Sequence, residues 1–202
     1  MTTSSVAIPE LQVSQESLLK RGMDVAGSCL LLVILAPFFA LVAVLVKLDS
    51  AGPAIFRQKR IGKDGEPFEL WKFRSMRADA PPYERSPVST SDPRLTPIGR
   101  MLRRLSVDEL PQLINVLKGE MSLVGPRPEM PFIVEKYGAL ERQRLRVKPG
   151  ITGLWQISPA RAMPIHENVE YDLFYIEHRS ALMDCSILLR TVTAVFRGIG
   201  AA

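Results

Sequence analysis

An uncharged apolar run near the N-terminus constrains the fold of this chain more than any other feature of its sequence. The run extends from Val25 to Val46 and consists mostly of Leu, Val, Ala, Ile and Phe. A helix of this length, at about 1.5 Å per residue, reaches across the ~30 Å hydrocarbon layer of a bilayer. Helices of soluble proteins usually carry a polar stripe, which this run lacks. The run is also too long for the core of a signal peptide, so we expect it to be retained as a membrane segment.

Basic residues flank this run on both sides, and they distinguish between two paths through the membrane. Lys20 and Arg21 precede the run, and Lys47 follows it. Because basic residues collect on the cytoplasmic side of a bilayer, a straight span would put one of these groups on the unfavourable side. Pro37 removes a helical hydrogen bond near the middle of the run and predicts a kink. We therefore favour a re-entrant helix, which bends at Pro37 and returns to the same face, over a simple span.

The overall composition is that of a folded protein with a basic surface. The chain has 202 residues, of which 23% are charged and 47% hydrophobic, so it is long enough for a core and is not wholly disordered. A formal net charge of +5 favours an anionic partner such as nucleic acid, acidic lipid or a phosphorylated small molecule. Cys29 and Cys185 are too few for a disulfide framework, and we expect both to be reduced packing residues.

Two adjacent carboxylates lie at the predicted start of a helix, where they indicate chemistry. Asp108 and Glu109 follow a basic run that includes Arg103 and Arg104. Adjacent like charges raise the cost of ionising both groups, and a metal ion or a phosphate-bearing substrate would relieve that cost. Ser106 and Glu109 have the spacing of a capping box, which gives Glu109 a structural alternative as a helix cap. Asp108 has no such alternative and is the stronger candidate.

Periodicity along the rest of the chain predicts a hairpin followed by short helices. Residues 55–61 and 67–73 are predicted strands joined by a glycine-containing turn. The basic residues of this hairpin would gain ~1 kcal/mol each beside anionic lipid headgroups, with a merely solvated hairpin as the alternative. Residues 80–97 are rich in proline and predict a long loop. Helices are predicted at residues 97–105, 110–117, 132–147 and 169–176, and around residues 188–195.

Two further features concern surfaces that bind phosphate or lipid. Arg127 stands between Pro126 and Pro128, and such rigid flanks suit a preorganised guanidinium that binds a phosphate or a planar ring. The last two predicted helices are amphipathic with arginines at their margins. Helices of this kind cover a core or lie in a membrane interface, and the apolar stripe alone favours the core.

Eight short motifs follow one another along the chain. They are Lys20-Arg21…Asp24, Phe56-Arg57-Gln58-Lys59-Arg60-Ile61-Gly62, Lys72-Phe73-Arg74-Ser75-Met76, Asp92-Pro93-Arg94-Leu95-Thr96, Arg103…Ser106-Val107-Asp108-Glu109-Leu110-Pro111-Gln112, Asn115-Val116-Leu117-Lys118-Gly119, Gly125-Pro126-Arg127-Pro128 and Lys148-Pro149-Gly150-Ile151-Thr152-Gly153-Leu154-Trp155-Gln156. In this order they resemble the bacterial sugar transferase family, the monotopic polyprenyl-phosphate phosphoglycosyl transferases. Members typically have leucine where this chain has Val107, and often Ser-Pro where it has Ala36-Pro37. Proline is retained, so the predicted bend is unaffected.

The resemblance implies an α/β, mostly helical, monotopic membrane protein at the bacterial inner (cytoplasmic) membrane. It implies a mobile N-terminus over residues 1–17, a re-entrant kinked membrane helix over residues 18–50, and a catalytic domain on the cytoplasmic face over residues 51–202. A small β-hairpin and amphipathic interfacial helices belong to that domain. The chain corresponds to the minimal catalytic unit of the family.

The resemblance also implies transfer of a sugar 1-phosphate from a UDP-sugar to a polyprenyl (undecaprenyl) phosphate with release of UMP, the first membrane step of surface glycan assembly. Asp108 would be the nucleophile that forms a covalent aspartyl phosphosugar, and it would bind Mg²⁺ together with the diphosphate. Glu109 would assist the incoming lipid phosphate as a base or an anchor. The residues implied to bind phosphate or nucleotide are Arg103, Arg127, Lys59, Arg60, Pro126 and Pro128.

Two other classes of protein stay open from the residues alone. A non-catalytic membrane-tethered scaffold of a glycan assembly complex would use the same anchor, but it does not need Asp108, Glu109 and Arg103 together. A nucleic-acid binder would explain the charge but neither the apolar run nor the acids, so we expect no nucleic-acid partner. The expected partners are a UDP-sugar, a polyprenyl phosphate and a phospholipid membrane, and homo-oligomerisation is left open. No motif residue distinguishes galactose, glucose or an N-acetylated sugar, and the loop at residues 80–97 is a candidate for that choice.

Overall fold

The computed structural model describes residues 17–81, 91–163 and 168–196, together with Leu11, Glu84 and Pro87. Within them the protein is mostly helical, as predicted. A long helix, α1 (Leu18–Asp49), precedes a hairpin of β1 (Ile55–Ile61) and β2 (Pro67–Phe73). The elements that follow are α2 (Pro97–Arg104), α3 (Leu113–Lys118), β3 (Ser122–Val124), α4 (Pro131–Val134), α5 (Ala139–Arg142), β4 (Gly150–Thr152), α6 (Glu170–His178) and α7 (Ala181–Phe196). Short 3₁₀ turns occupy Lys63–Gly65, Val107–Gln112, Gln143–Arg146 and Pro159–Ala162.

The helix α1 has 32 residues and contains Pro37. Ser17 caps its first turn, because its Oγ accepts a hydrogen bond from the Lys20 amide at 3.1 Å. Along the described part of the chain, α1 is the one helix whose length and apolar composition suffice to cross a membrane. Its middle is open to the surroundings, with Val33 75% and Ile34 62% exposed. These features agree with a membrane segment, and the re-entrant path stays a prediction.

Both ends of α1 contact the domain that follows it. At the N-terminal end, the Arg21 guanidinium donates to the carbonyls of Val116 and Leu117 in α3, at 2.7 and 2.9 Å. At the C-terminal end, Val46 packs in a buried cluster with Phe73 of β2. The helix is therefore fixed to the domain at two places.

The hairpin forms with the predicted bounds. Its strands pair in antiparallel register along their whole length. The turn between them passes through Asp64 and Gly65, whose φ angles of 56° and 84° lie in the left-handed region that glycine favours. On one face of β2, Phe68 and Leu70 are buried in a cluster with Val116. This cluster holds β2 beside α3.

A second pair of strands, β3 with β4, is parallel and is not predicted by the sequence pattern. Each strand has three residues, which is too short for a period of two to be recognised. The two chains approach closely, since a Cβ on Gly150 would lie 2.1 Å from the Gly125 nitrogen. Glycine is therefore required where the segment after β3 passes the start of β4.

The predicted helix at residues 132–147 is wrong. The segment instead contains α4, α5 and a 3₁₀ turn, because Gly138 adopts an extended conformation (φ −75°, ψ −174°) that interrupts the helix before α5. Most of the predicted N-terminal segment and part of the predicted loop at residues 80–97 lie outside the described residues. Leu11 is described, and its amide donates to Gln143 Oε1 at 3.0 Å.

The helix α7 packs on the core, but part of its apolar surface is exposed. The helix buries Ile187 and Ala194 but leaves Leu182 and Leu189 85% and 71% exposed. One face therefore packs on the core, and an opposite apolar face stays open. Cys185 of α7 and Cys29 of α1 are free thiols as expected, but both are exposed and are not packing residues.

Candidate active site

The two acids predicted to be catalytic lie in the 3₁₀ turn Val107–Gln112 that precedes α3. Ser106, just before the turn, has a left-handed backbone with φ 54°, and among the described residues its side chain finds no partner for a capping hydrogen bond. The capping box, which the spacing offers as a structural alternative for Glu109, does not form, because an N-cap residue typically has an extended conformation. The left-handed residue turns the chain sharply after α2, and Arg103 and Asp108 line the same cavity.

Glu109 is held by two cations from distant parts of the chain. Lys72 Nζ of β2 and Arg127 Nη2 both lie 2.9 Å from Glu109 Oε1. Arg127 Nη1 also donates to Glu109 Oε2 at 3.4 Å. Burial opposes the ionisation of Glu109, but Arg127 and Lys72 hold its pKa well below the usual range. Glu109 is therefore an ionised, paired carboxylate at neutral pH.

Asp108 has no such partners. It is 6% exposed, and among the residues that the structure describes its carboxylate makes no hydrogen bond and no ion pair within 4.0 Å. Burial raises the pKa of Asp108; Lys72 and Arg103 oppose the rise, and the charge of Glu109 adds to it. Because desolvation of an unpaired carboxylate is costly, this group is suited to a ligand or a reaction.

Asp108 lies in the wall of a cavity of about 540 Å³, which is within the usual range for small-molecule sites. The walls combine guanidinium groups with apolar side chains. The arginines are Arg57, Arg60, Arg74, Arg77, Arg94 and Arg103, and the larger apolar residues are Ile55, Phe56, Phe73, Met76 and Met130. The cavity therefore suits an anionic ligand that also presents an apolar surface.

Arg103 is the cavity arginine whose position is most informative. Burial lowers the pKa of its guanidinium, and the charges of Asp108 and Glu109 oppose that effect. Within the described ranges, the Arg103 guanidinium makes no direct hydrogen bond to the protein. A desolvated guanidinium of this kind can donate to the oxygens of a phosphate.

Three of the remaining predicted phosphate-binding residues are buried, namely Arg60, Pro126 and Pro128. Arg60 is buried in the cavity wall and donates to Gln58 Oε1 at 2.8 Å and to the Pro128 carbonyl at 3.2 Å. The Pro126 carbonyl accepts from the Gly150 amide at 2.8 Å. Both prolines are buried, and their carbonyls hold the loop that carries the arginine between them.

Lys59 and Pro37 are not brought to the acids. Lys59 is exposed and lies on the opposite face of β1 from Gln58 and Arg60, because side chains alternate along a strand. Pro37 is exposed in the middle of α1. The geometry thus joins Asp108, Glu109, Arg103 and Arg127 but leaves Lys59 outside the cavity.

Two charged residues beside the acids are missed by the sequence reasoning. Lys72 follows Phe68 and Leu70 on one face of β2, so a lysine on an otherwise buried face is the signal that could have identified it. Arg161, in the 3₁₀ turn Pro159–Ala162, has no comparable signal. Burial lowers its pKa, and its guanidinium lies close enough to the acids and Arg127 to feel their charges.

Of the two acids in the described site, Asp108 is the one whose carboxylate is not engaged by a cation. In the described part of the chain, no group of three or more His, Cys, Asp or Glu residues is placed to hold a metal ion. Both oxygens of Glu109 are engaged by cations. A single free carboxylate suits Mg²⁺, which commonly takes one or two carboxylates and completes its shell with phosphate oxygens and water.

Comparison with known proteins gives one family. The family model described as "Bacterial sugar transferase" matches residues 15–198. The UDP-glucose:undecaprenyl-phosphate glucose-1-phosphate transferase of Escherichia coli (strain K12) is 45% identical over 183 residues, which cover 87% of this chain and 39% of the relative. Galactosyl transferase CpsE of Streptococcus agalactiae is 41% identical over 194 residues, covering 90% and 43%. This chain therefore spans less than half the length of these two relatives.

A shorter relative matches over most of its own length. The exopolysaccharide production protein ExoY of Sinorhizobium fredii is 39% identical over 191 residues, which cover 87% of this chain and 84% of the relative. The matched regions in all three cases contain the segment that holds the paired acids, since each covers most of the chain.

Proposed function

Because the chain belongs to the bacterial sugar transferase family, as its motifs predict, we propose that it transfers a sugar 1-phosphate from a UDP-sugar to a polyprenyl phosphate and releases UMP. The observation that carries this proposal is Asp108, a buried carboxylate without a protein partner in a cavity lined by guanidinium groups. The name of the E. coli relative states that the relative acts on UDP-glucose and undecaprenyl phosphate. That name supports the same classes of donor and acceptor for this chain.

The reaction has two displacement steps. A carboxylate oxygen of Asp108 attacks the phosphorus next to the sugar, and the bond to the UMP oxygen breaks with its electron pair leaving on UMP. The product is a covalent aspartyl phosphosugar. An oxygen of the polyprenyl phosphate then attacks the same phosphorus, and the Asp108 carboxylate leaves. The sugar thus ends on a polyprenyl diphosphate, and Asp108 is regenerated.

The surrounding charges serve the phosphates. Arg103 lines the cavity beside Asp108 and would donate to phosphate oxygens. Asp108 would hold Mg²⁺ together with the donor diphosphate, and the bound ion would neutralise charge on the leaving phosphate. Glu109 is a poor general base, since Arg127 and Lys72 lower its pKa against the effect of burial. We therefore assign Glu109 the role of an anchor that places those two cations.

The attachment of α1 supports a re-entrant path. Arg21 bonds to Val116, and the neighbouring Asn115 accepts a hydrogen bond from the Trp71 amide of β2 at 3.1 Å. Phe73, which packs against the other end of α1, lies two residues further along the same strand, or about 7 Å. A straight helix between the two attachments would be about 37 Å long. The side chains of Arg21 and Phe73 bridge part of this length, and a bend at Pro37 would shorten the rest.

A bent helix places both ends of α1 on one side of the bilayer. The positive flanks make that side the cytoplasmic face of the bacterial inner membrane. The phosphate of a polyprenyl phosphate lies at the membrane surface, so an active site held at that depth meets its acceptor. A simple span is the competing arrangement, and topology measurements separate the two.

UMP release tests the proposed function. The purified chain in lipid nanodiscs is incubated with UDP-glucose, UDP-galactose or UDP-N-acetylgalactosamine, with and without undecaprenyl phosphate and with Mg²⁺ present. At least one donor should give continuous UMP release that requires the acceptor, and Asp108→Asn should abolish it. Asp64→Asn, which changes an exposed acid in the hairpin turn, is the matched control and should retain activity. The absence of release with every donor, from chain that remains folded in nanodiscs, would favour the scaffold alternative.

A further inference from the structure

We propose that Arg144 and Lys20 are positioning residues, which hold the two ends of the segment from Val124 to Arg127 and so fix the Arg127 guanidinium against Glu109. The inference rests on the proposed function. It assigns a role in the active site to a residue of the membrane helix and to a buried residue of the 3₁₀ turn Gln143–Arg146.

The Arg127 end of the segment is held by a buried guanidinium. Arg144 Nη2 donates to the Arg127 carbonyl at 2.9 Å. The same guanidinium donates through Nε and Nη2 to Asp172 Oδ2 of α6, at 2.9 and 2.6 Å, and through Nη1 to the Tyr137 hydroxyl. The side chains of Arg144 and Asp172 are 2% and 1% exposed. Arg144 thus links α6 directly to the backbone of an active-site residue.

Stability alone is a weak reason for this buried pair. Replacing a buried ion pair by apolar residues of similar volume is often neutral or stabilising. The arrangement of Arg144 is more specific than such a pair, because a planar guanidinium bonds a carboxylate, a hydroxyl and a backbone carbonyl at once. A lysine retains the charge but lacks that planar set of donors. The geometry therefore points to positioning of the Arg127 backbone.

The Val124 end is held by the first turn of α1. Lys20 Nζ donates to the Val124 carbonyl at 3.2 Å and pairs with Asp184 Oδ2 of α7 at 2.7 Å. The Tyr175 hydroxyl of α6 has a single proton, which is shared between Asp184 Oδ1 at 2.8 Å and the Val124 carbonyl at 3.0 Å. Lys20 of the membrane helix therefore holds this carbonyl, and Asp184 fixes the position of Lys20.

Little freedom is left between these two ends. Gly125 donates to the Thr152 carbonyl at 2.9 Å, and the Pro126 carbonyl accepts from Gly150 at 2.8 Å. Loosening either end would let Arg127 move away from Glu109. Such a movement would lengthen the two hydrogen bonds from Arg127 to the Glu109 carboxylate, which now measure 2.9 and 3.4 Å.

The test is a double-mutant cycle on kcat/KM for UMP release at one fixed pH. Arg144→Lys and Lys20→Met each weaken one end of the segment without touching Asp108 or Glu109. Each should lower kcat/KM on the order of tenfold in the wild-type background and change it little further in an Arg127→Lys background, because both residues act through Arg127. Arg146→Lys is the control, because this neighbouring arginine bonds to the Leu11 carbonyl at 2.6 Å, and it should leave kcat/KM unchanged in both backgrounds.

The possible results separate the positioning role from the proposed function. Equal losses in the wild-type and Arg127→Lys backgrounds, or an unchanged kcat/KM in both variants while the wild-type chain releases UMP, would overturn the positioning role and leave the proposed function intact. If Arg144→Lys fails to fold, Lys20→Met decides the question. If the wild-type chain releases no UMP, the proposed function fails. Hydrogen–deuterium exchange of the segment from Val124 to Arg127 then tests the positioning directly and should be faster in Arg144→Lys than in Arg146→Lys.

Discussion

At the scale of single residues, neutralising the two adjacent acids should change stability in opposite directions. Asp108→Asn should raise the Tm, because it removes a buried charge that has no direct protein partner in the described chain. Glu109→Gln should lower stability by about 3 kcal/mol at pH 7, since it leaves Lys72 and Arg127 without their shared carboxylate. Thermal unfolding of the three proteins in one detergent measures both effects.

The loss of stability caused by Glu109→Gln should also depend on pH, and the direction of that dependence follows from the pKa of Glu109. Burial opposes ionisation of Glu109, but Arg127 and Lys72 lower its folded-state pKa. The contribution of ionised Glu109 to the free energy of unfolding is therefore present above the ordinary glutamate pKa of about 4.3, and it is lost as the pH falls through the lowered value. The stability difference from wild type should therefore narrow toward acid pH. Glu66→Gln, at an exposed position of the hairpin, is the control and should show no such trend. Equal destabilisation by Asp108→Asn and Glu109→Gln would refute the assignment of Asp108 as an unpaired buried carboxylate and of Glu109 as a paired one.

Lys72 should set the acid limb of activity. Burial raises the pKa of Asp108 and Lys72 opposes that rise, so Lys72→Met should move the acid limb of the pH–activity profile to higher pH. The measurement is the kcat/KM for UMP release across pH. Lys63→Met removes a half-exposed cation from the turn of the same hairpin and serves as the control. An acid limb that stays in place in Lys72→Met would show that Lys72 does not act on the reacting carboxylate.

The two acids can be singled out as candidates from the sequence, but the partners of Glu109 cannot be predicted from it. A local spacing rule suggests a cap between Ser106 and Glu109, and the left-handed backbone of Ser106 prevents it. The actual partners lie 37 and 18 residues away, at Lys72 and Arg127. Contacts at such separations depend on how β2 and the loop after β3 pack, and no periodicity in the sequence encodes that.

At the scale of elements, the strongly patterned segments are predicted well. The hairpin is predicted with its observed bounds, and α2 and α6 form where their patterns indicate. The failures occur where the pattern is short or interrupted. The strands β3 and β4 have three residues each, and the stretch after Pro131 is divided by Gly138, although its apolar spacing resembles a single helix.

The bend in α1 is testable by topology. Single cysteines at Leu18 and Leu48, which are 92% and 79% exposed at the two ends of α1, are introduced in a background without Cys29 and Cys185. With a bend at Pro37, both cysteines should react with a membrane-impermeant reagent from the same side.

Replacing Ala36 and Pro37 by leucine should straighten the helix, because it restores the missing backbone donor. The two cysteines should then react from opposite sides of the membrane. Ala40→Leu adds similar volume without changing the proline, and it should leave the labelling as in the parent. Reaction from one side in the double leucine variant would refute Pro37 as the cause of the bend.

At the scale of the whole molecule, the end of α1 and the cavity share a residue. Arg74 lines the cavity, and its Nη2 donates to the carbonyls of Val46 and Ser50 at 3.2 and 2.6 Å. The cavity therefore begins where α1 ends. An acceptor whose chain lies in the membrane and whose phosphate lies at its surface would reach Asp108 by this side. This arrangement accounts for one chain that combines an apolar anchor with a basic cavity.

The central claim is that Asp108 becomes covalently bonded to the sugar phosphate. The most direct measurement is mass spectrometry of the chain after incubation with the UDP-sugar donor that supports UMP release, in the absence of polyprenyl phosphate. We expect one phosphosugar adduct per chain, located on the peptide that contains Asp108, removed by adding polyprenyl phosphate and absent from Asp108→Asn. An active enzyme that shows no adduct on Asp108 under these conditions would contradict it.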